Sequence, residues 1–90
     1  MDLNRTFKIS PDVTSRALGP EVVILHLGSG TYFGLDPSGA RLWQLMGEGK
    51  TLAEICEVML DEYDVSREDL ERDALSLAQD LAAQHLISFE

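Results

Sequence analysis

Three side chains of the types that ligate soft metal ions occur in the sequence: His26, Cys56 and His85. Zinc sites usually assemble from such ligands in pairs a few residues apart, and none of these three has a partner at that spacing. We therefore predict no metal site. His26 is expected to be a surface or hydrogen-bonded histidine in a strand, and Cys56, beside Ile55, a small buried residue.

The serines near predicted turns do not match a nucleophile motif. Ser29 and Ser38 both lack the G-x-S-x-G context of a strained nucleophile elbow. The Gly-Ser-Gly stretch at 28–30 is too short for a phosphate-binding loop and lacks the lysine of one. Most carboxylates fall at predicted helix starts or on polar helix faces, where solvation explains them. The sequence thus predicts no catalytic residue and no cofactor.

An excess of negative charge narrows the classes of partner. Sixteen Asp and Glu residues against seven Lys and Arg give a net charge of −9, whereas nucleic-acid binding depends on clustered basic side chains. Anionic membrane surfaces are disfavoured for the same reason. The longest wholly apolar run, residues 22–25, is far too short to cross a membrane, and no signal-peptide pattern opens the chain. With a single cysteine, these features predict a soluble cytoplasmic protein.

The first half of the chain reads as β-strands. Residues 21–27 are rich in Val, Ile and Leu and form the clearest candidate. Glycine-containing turns at 19–20 and 28–30 separate this strand from its neighbours. The sequence from Phe7 to Leu18 alternates only weakly and is broken at Ser10-Pro11, so Val13 to Leu18 is the better strand candidate within it. Three strands are therefore predicted: Val13 to Leu18, Glu21 to Leu27, and Thr31 to Leu35.

The second half reads as three helices. Asp36 caps the first and Pro37 opens it, and the glycines at 47 and 49 end it. A T-x-x-E capping box at Thr51 begins the second helix, and an S-x-x-D sequence at Ser66 begins the third, which runs to about His85. The last residues, 86–89, resemble a short final strand. The predicted apolar stripes are Gly39, Leu42, Trp43 and Met46 in the first helix, Leu52, Ile55, Val58 and Met59 in the second, and Leu70, Ala74, Leu77 and Leu81 in the third.

Ninety residues suffice for one small core, and this order of elements predicts an α+β fold of winged-helix-like shape. A three-stranded antiparallel sheet would be followed by three helices covering one of its faces. Use of such a fold for DNA binding is disfavoured, because the longest helix is strongly acidic. An acyl carrier protein is also disfavoured, since the sequence Asp36-Pro37-Ser38-Gly39 does not match the Asp-Ser-Leu attachment motif.

Two stretches carry a family resemblance: Gly-Thr-Tyr-Phe-Gly-Leu-Asp at 30–36 and Gly-Ala-Arg-Leu-Trp at 39–43. With Thr-Leu-Ala-Glu-Ile at 51–55, Glu-Tyr-Asp-Val at 62–65 and Leu-Ile at 86–87, the chain resembles the PqqD-like family over roughly residues 13–89. The resemblance implies that residues 1–90 form a single peptide-binding domain, a RiPP recognition element. Such a domain binds the leader segment of a ribosomally made precursor peptide and is not an enzyme.

In that family the leader is thought to add as a strand to the third strand, in a groove against the third helix. Gly34 would let another backbone approach, and alternation places Tyr32 on the opposite face from Phe33 and Leu35. Asp73, Asp80 and Gln84 lie beside the apolar stripe of the third helix, either as the rim of the groove or as a solvated flank. Gln84 is included from helical spacing alone. The candidate leader-binding residues are Thr31, Tyr32, Phe33, Gly34, Leu35, Asp73, Leu77, Asp80, Leu81 and Gln84.

The sequence at 30–36 looks more like the stand-alone recognition proteins of lasso-peptide clusters than like authentic PqqD proteins. That resemblance implies two kinds of partner, the precursor peptide and a separate leader peptidase. The alternatives are a peptide chaperone for a radical-SAM enzyme and a winged-helix-like module that binds protein or nucleic acid.

Overall fold

A computed structural model describes residues 3–89. Its elements follow the order β1 (Phe7–Ile9), β2 (Val13–Leu18), β3 (Glu21–His26), β4 (Thr31–Leu35), α1 (Pro37–Gly47), α2 (Leu52–Glu62), α3 (Arg67–Ala83) and β5 (Ile87–Phe89). The predicted α+β architecture, a three-stranded antiparallel sheet followed by three helices, is confirmed. None of the helices described is both long enough and apolar enough to cross a membrane.

The main sheet has β3 at its centre, between β2 and β4. Ile24 lies opposite Ser15 on one side and Phe33 on the other. Paired residues of an antiparallel ladder share a face. Ser15 and Phe33 therefore point to the same side of the sheet as Ile24, which is completely buried. In the described part of the chain the outer edges of β2 and β4 pair with no other strand.

The two terminal strands form a separate ribbon that the sequence did not predict as a pair. β1 pairs antiparallel with β5, with Phe7 opposite Phe89 and their ring centroids 5.4 Å apart. The Ser10 N–H donates to the Leu86 carbonyl over 3.0 Å. This ribbon packs near the end of α1, where the Ile9 side chain approaches Gly47.

The predicted helix starts are confirmed by side-chain caps. The Asp36 carboxylate accepts the Gly39 N–H over 2.8 Å. Thr51 forms a reciprocal capping box with Glu54, and the Ser66 hydroxyl accepts the N–H of residue 69 at the start of α3. Each cap satisfies an N–H that the first turn of a helix leaves without a partner, and this fixes the residue at which each helix begins.

The hydrophobic core lies between the inner face of the sheet and the three helices. The predicted stripes of α1 and α2 face this core, and Cys56 is completely buried, as predicted. In the predicted stripe of α3, Leu77 is half-buried and packs against this core, while Ala78, which was not predicted, is completely buried beside it. Helical spacing accommodates either residue, and the close approach of α3 to the rest of the core selects the smaller side chain.

Candidate functional site

A groove runs between the inner side of β4 and the exposed flank of α3. One end is a cleft of about 490 Å3 lined by residues 33–36, Ser38, Gly39, Asp73 and Leu77. The other end is a cleft of about 200 Å3 lined by His26, Ser29, Thr31, Phe33 and residues 83–86. Phe33 lines both clefts, so the two lie next to each other along β4. We refer to them together as the β4–α3 groove.

The floor of the β4–α3 groove is apolar. Phe33 is half-buried, and Leu35 is 5% exposed beside it on the same face of β4. The opposite wall is the half-buried Leu77 of α3. Gly39 lets α1 begin close beneath this floor, because a Cβ there would lie 3.4 Å from Leu77 Cδ2 and 3.2 Å from Asp36 Oδ1. The groove therefore offers apolar surface beside a strand edge.

The two ends of the groove differ in their polar groups. Asp36 and Asp73 border the larger cleft, although one oxygen of Asp36 already accepts hydrogen bonds from Gly39 and Ser38. At the smaller cleft, the His26 ring nitrogen Nδ1 lies 3.2 Å from the N–H of Ser29. His26 is thus hydrogen-bonded, as predicted. A ligand with a cation would fit the acidic end better than the imidazole end.

The structure brings most of the candidate leader-binding residues together and separates three of them. Tyr32 faces away from the groove, opposite Leu25 on the outer face of the sheet. Leu81 is completely buried and lines neither cleft, so it supports the groove from within the core. Asp80 is exposed on α3 but borders neither cleft. The residues that line the groove are Thr31, Phe33, Gly34, Leu35, Asp73, Leu77 and Gln84.

Some lining residues were not among the candidates. Asp36, Ser38 and Gly39 border the larger cleft because α1 begins directly after β4. The Leu-Asp pair at 35–36 in the family motif is the signal that could have identified this end. His85 reaches the smaller cleft through a left-handed backbone conformation, φ 60°, which no local pattern in the sequence predicts.

Two further clefts border the described elements, and one of them is larger than the groove. One cleft of about 750 Å3, larger than either part of the groove, lies between β2 and α1 and is lined by Val13, Ala17, Trp43 and their neighbours. It borders the second free edge of the sheet. A small apolar pocket of about 140 Å3, lined by Leu42, Met59 and Leu70 among others, shares Leu77 with the groove. Geometry therefore offers two strand edges, of which only β4 has an apolar groove continuous with α3.

The described residues offer no assembled catalytic chemistry. Burial raises the pKa of the Cys56 thiol above its ordinary value, which disfavours the reactive thiolate. No group of three or more His, Cys, Asp and Glu side chains converges as a metal site within residues 3–89. The groove itself offers a partner apolar surface, a strand edge with unpaired backbone groups, and the carboxylates of Asp36 and Asp73.

Comparison with known proteins identifies relatives of this chain. The family described as coenzyme PQQ synthesis protein D, PqqD, matches residues 21–87. One solved structure, TbiB1 in complex with the TbiA(beta) leader peptide, is 46% identical, with a TM-score of 0.86 over 90% of this chain and 94% of that one. A lasso peptide synthetase B1 complexed with the leader peptide is 27% identical, with a TM-score of 0.85 over 91% and 96% of the two chains. No curated protein is significantly similar in sequence.

Proposed function

The chain belongs to the PqqD family, and from that membership we propose that it binds the leader segment of a ribosomally made precursor peptide. The observation that carries this proposal is the free outer edge of β4 beside the apolar β4–α3 groove. Two structurally similar proteins are complexed with leader peptides. The position of the leader on this chain, along β4, is part of the proposal.

Strand addition at β4 explains how one small domain can hold a flexible peptide. The leader backbone would pair with the free N–H and C=O groups of residues 31–35, which supplies affinity with little dependence on side chains. Alternate leader side chains would point into the groove, where Phe33 and Leu77 provide apolar contacts. Asp73 would favour a leader carrying a basic residue near the larger cleft.

The precursor is proposed to be that of a lasso peptide. Both similar structures hold a leader peptide, and one of them is a lasso peptide synthetase component. In this setting the chain delivers the bound precursor to a separate leader peptidase. The partner enzyme is proposed to be that peptidase rather than a radical-SAM enzyme.

The chain itself is proposed to catalyse nothing and to need no cofactor. The unfavourable ionisation of the Cys56 thiol supports this view, and so does the description of two similar proteins by the leader peptides that they hold. The chemistry would then be supplied by the partner enzyme.

A direct test uses the TbiA(beta) leader peptide, which is held in a complex by a protein 46% identical to this chain. A fluorescently labelled synthetic leader should bind with saturable anisotropy, and a scrambled leader of the same composition should not compete with it. The full precursor is then incubated with this chain alone, with the peptidase alone, and with both. Processing should require the peptidase and be accelerated by this chain. Cleavage by this chain alone, or equal binding of the scrambled leader, would contradict the proposal.

A further inference from the structure

The turn that leads into β4 is held by one histidine. The Ser29 N–H donates to His26 Nδ1 over 3.2 Å, and the Gly30 N–H donates to the His26 carbonyl over 2.8 Å. His26 therefore binds the turn at residues 28–30 through its ring and through its backbone. Of these two hydrogen bonds, the one from Ser29 depends on the protonation state of the ring.

Two hydroxyl groups extend this contact to the first residue of β4. Ser29 Oγ lies 3.2 Å from His26 Nδ1 and donates to Thr31 Oγ1 over 3.0 Å. The Thr31 N–H donates to Ser29 Oγ over 3.4 Å. Thr31 also lies directly opposite His26 in the β3–β4 ladder. The imidazole thus holds Ser29, and Ser29 contacts both the hydroxyl and the backbone N–H of Thr31.

The turn fits closely around the imidazole ring. A Cβ at position 28 would lie 3.1 Å from His26 Cε1 and 3.5 Å from His26 Nδ1, so the ring occupies space that a side chain on Gly28 would need. Gly30 has φ 71°, a left-handed conformation that glycine adopts without steric cost. The two glycines therefore let residues 28–30 fold against the ring.

The direction of the Ser29 hydrogen bond fixes the form of the ring that holds the turn. A backbone N–H can only donate, so His26 Nδ1 accepts and carries no proton. The ring is then neutral, with its proton on Nε2. In a protonated imidazole both nitrogens are donors. Protonation would therefore leave the Ser29 N–H without its acceptor and place two N–H groups against each other.

The surroundings of His26 offer no opposite charge to a protonated ring. His26 lines the smaller cleft of the β4–α3 groove with Ser29, Thr31, Phe33 and residues 83–86. Its neighbour on β2 is Val13. Within this lining, taken over the described residues, His85 is the one other titratable side chain, and no Asp, Glu, Lys or Arg contributes. Protonation of His26 would thus change the turn without forming an ion pair in the cleft.

We propose that His26 is a positioning residue for leader binding, because its neutral ring holds the turn from which Thr31 begins β4. The inference rests on the proposed function, since it concerns the edge along which the leader is proposed to add. A preformed edge binds an added strand without first being ordered, which preserves affinity. Histidine changes its charge between about pH 5 and pH 8. The leader affinity should therefore fall as the pH is lowered through that range.

The test measures leader affinity against pH, with the labelled TbiA(beta) leader peptide followed by anisotropy. Wild-type protein should bind about three- to tenfold more weakly at the acidic end of the range, the loss expected for one hydrogen bond. His26→Gln retains an acceptor but cannot be protonated, so its affinity should stay level with pH. His26→Leu lacks the acceptor and should bind about three- to tenfold more weakly than wild type at pH 8.

The matched control is His85→Gln, which removes the other imidazole of the same cleft. It should keep the wild-type pH dependence. Circular dichroism at each pH establishes that every protein is folded, and if His26→Leu unfolds, the comparison of wild type with His26→Gln still decides. The inference is overturned if wild-type affinity is level with pH, if His26→Gln retains the wild-type pH dependence, or if His85→Gln abolishes it. Absence of leader binding by wild-type protein at every pH would instead reject the proposed function.

Discussion

The indole N–H of Trp43 donates a hydrogen bond to the Ser15 hydroxyl over 3.3 Å. It ties α1 to β2, an edge strand whose residues are exposed apart from the half-buried Val13. Trp43 is 7% exposed, so most of its side chain is removed from water. The bond thus anchors the part of the sheet that extends beyond the helices.

We expect Ser15→Ala to lower the free energy of unfolding by about 0.5–1.5 kcal/mol, because a buried donor loses its partner. Thr14→Ala is the matched control, since Thr14 is adjacent but faces outward. Urea unfolding followed by fluorescence of the single tryptophan measures both. Equal stability of the two variants would show that the hydrogen bond contributes nothing.

The capping box at the start of α2 predicts a pH dependence. The pKa of Glu54 is lowered chiefly by the backbone N–H of Thr51, with the Thr51 side chain adding to the shift. A lowered folded-state pKa means that the carboxylate stabilises the protein above its unfolded-state pKa, about 4.3. That contribution is lost as the pH falls through the folded-state pKa. The stability difference between wild type and Glu54→Gln should therefore shrink from pH 7 towards pH 3, measured by urea unfolding.

Amide hydrogen exchange locates the leader without any mutation. Leader binding should slow exchange at residues 31–35 and along α3 near 73–81, because the first segment gains backbone partners and the second is covered. Residues 13–18 of β2 serve as the internal control, since they form the other free edge. Protection at β2 with β4 unchanged would place the leader beside the 750 Å3 cleft instead.

Leu77 should be the main apolar contact that α3 offers the leader. Leu77→Ser is expected to weaken leader binding about tenfold. The apolar contact area that is lost corresponds to about 1–2 kcal/mol of binding free energy. Leu75→Ser is the control, since Leu75 is also half-buried on α3 but lines neither cleft of the groove. Isothermal titration with the same leader measures the affinity of both variants. An equal loss of affinity in both would mean that reduced stability, and not the lost groove contact, weakens binding.

The end of α3 is held in a conformation that favours glycine. His85 has φ 60°, its N–H donates to the Ala82 carbonyl, and the next N–H donates to that of Leu81, both over 3.0 Å. This is the Schellman arrangement, in which the left-handed residue is usually glycine. His85→Gly should raise the free energy of unfolding by about 0.5–1 kcal/mol, because left-handed backbone costs about 1 kcal/mol or more with a side chain. Thermal unfolding would show a higher midpoint, and an unchanged or lower one would contradict the argument.

Local signals explain which elements the sequence predicts well. Capping residues such as Asp36 and Thr51 act within one helical turn, so the helix starts follow from adjacent residues. The turns at 19–20 and 28–30 separate the strands in the same local way. Pairing between β1 and β5 is different, because three-residue strands at opposite ends of the chain carry no pattern that identifies their partner.

The directions of the side chains at the candidate site were predicted better for β4 than for α3. Alternation in β4 places Tyr32 opposite to Phe33 correctly. On α3, spacing alone cannot fix how the helix is rotated about its axis, and this rotation directs Leu81 into the core and leaves Leu77 at the groove. Packing of the whole core sets that rotation.

Pairing of β1 with β5 brings the two ends of the described chain next to each other. With Phe7 opposite Phe89, the chain enters and leaves the fold at neighbouring points. A host protein could therefore accept the domain as an insertion in a surface loop, or carry it at either end, without a long connection. The same proximity allows circular permutation, with the old ends joined by a short linker and new ends opened in an exposed turn such as 28–30.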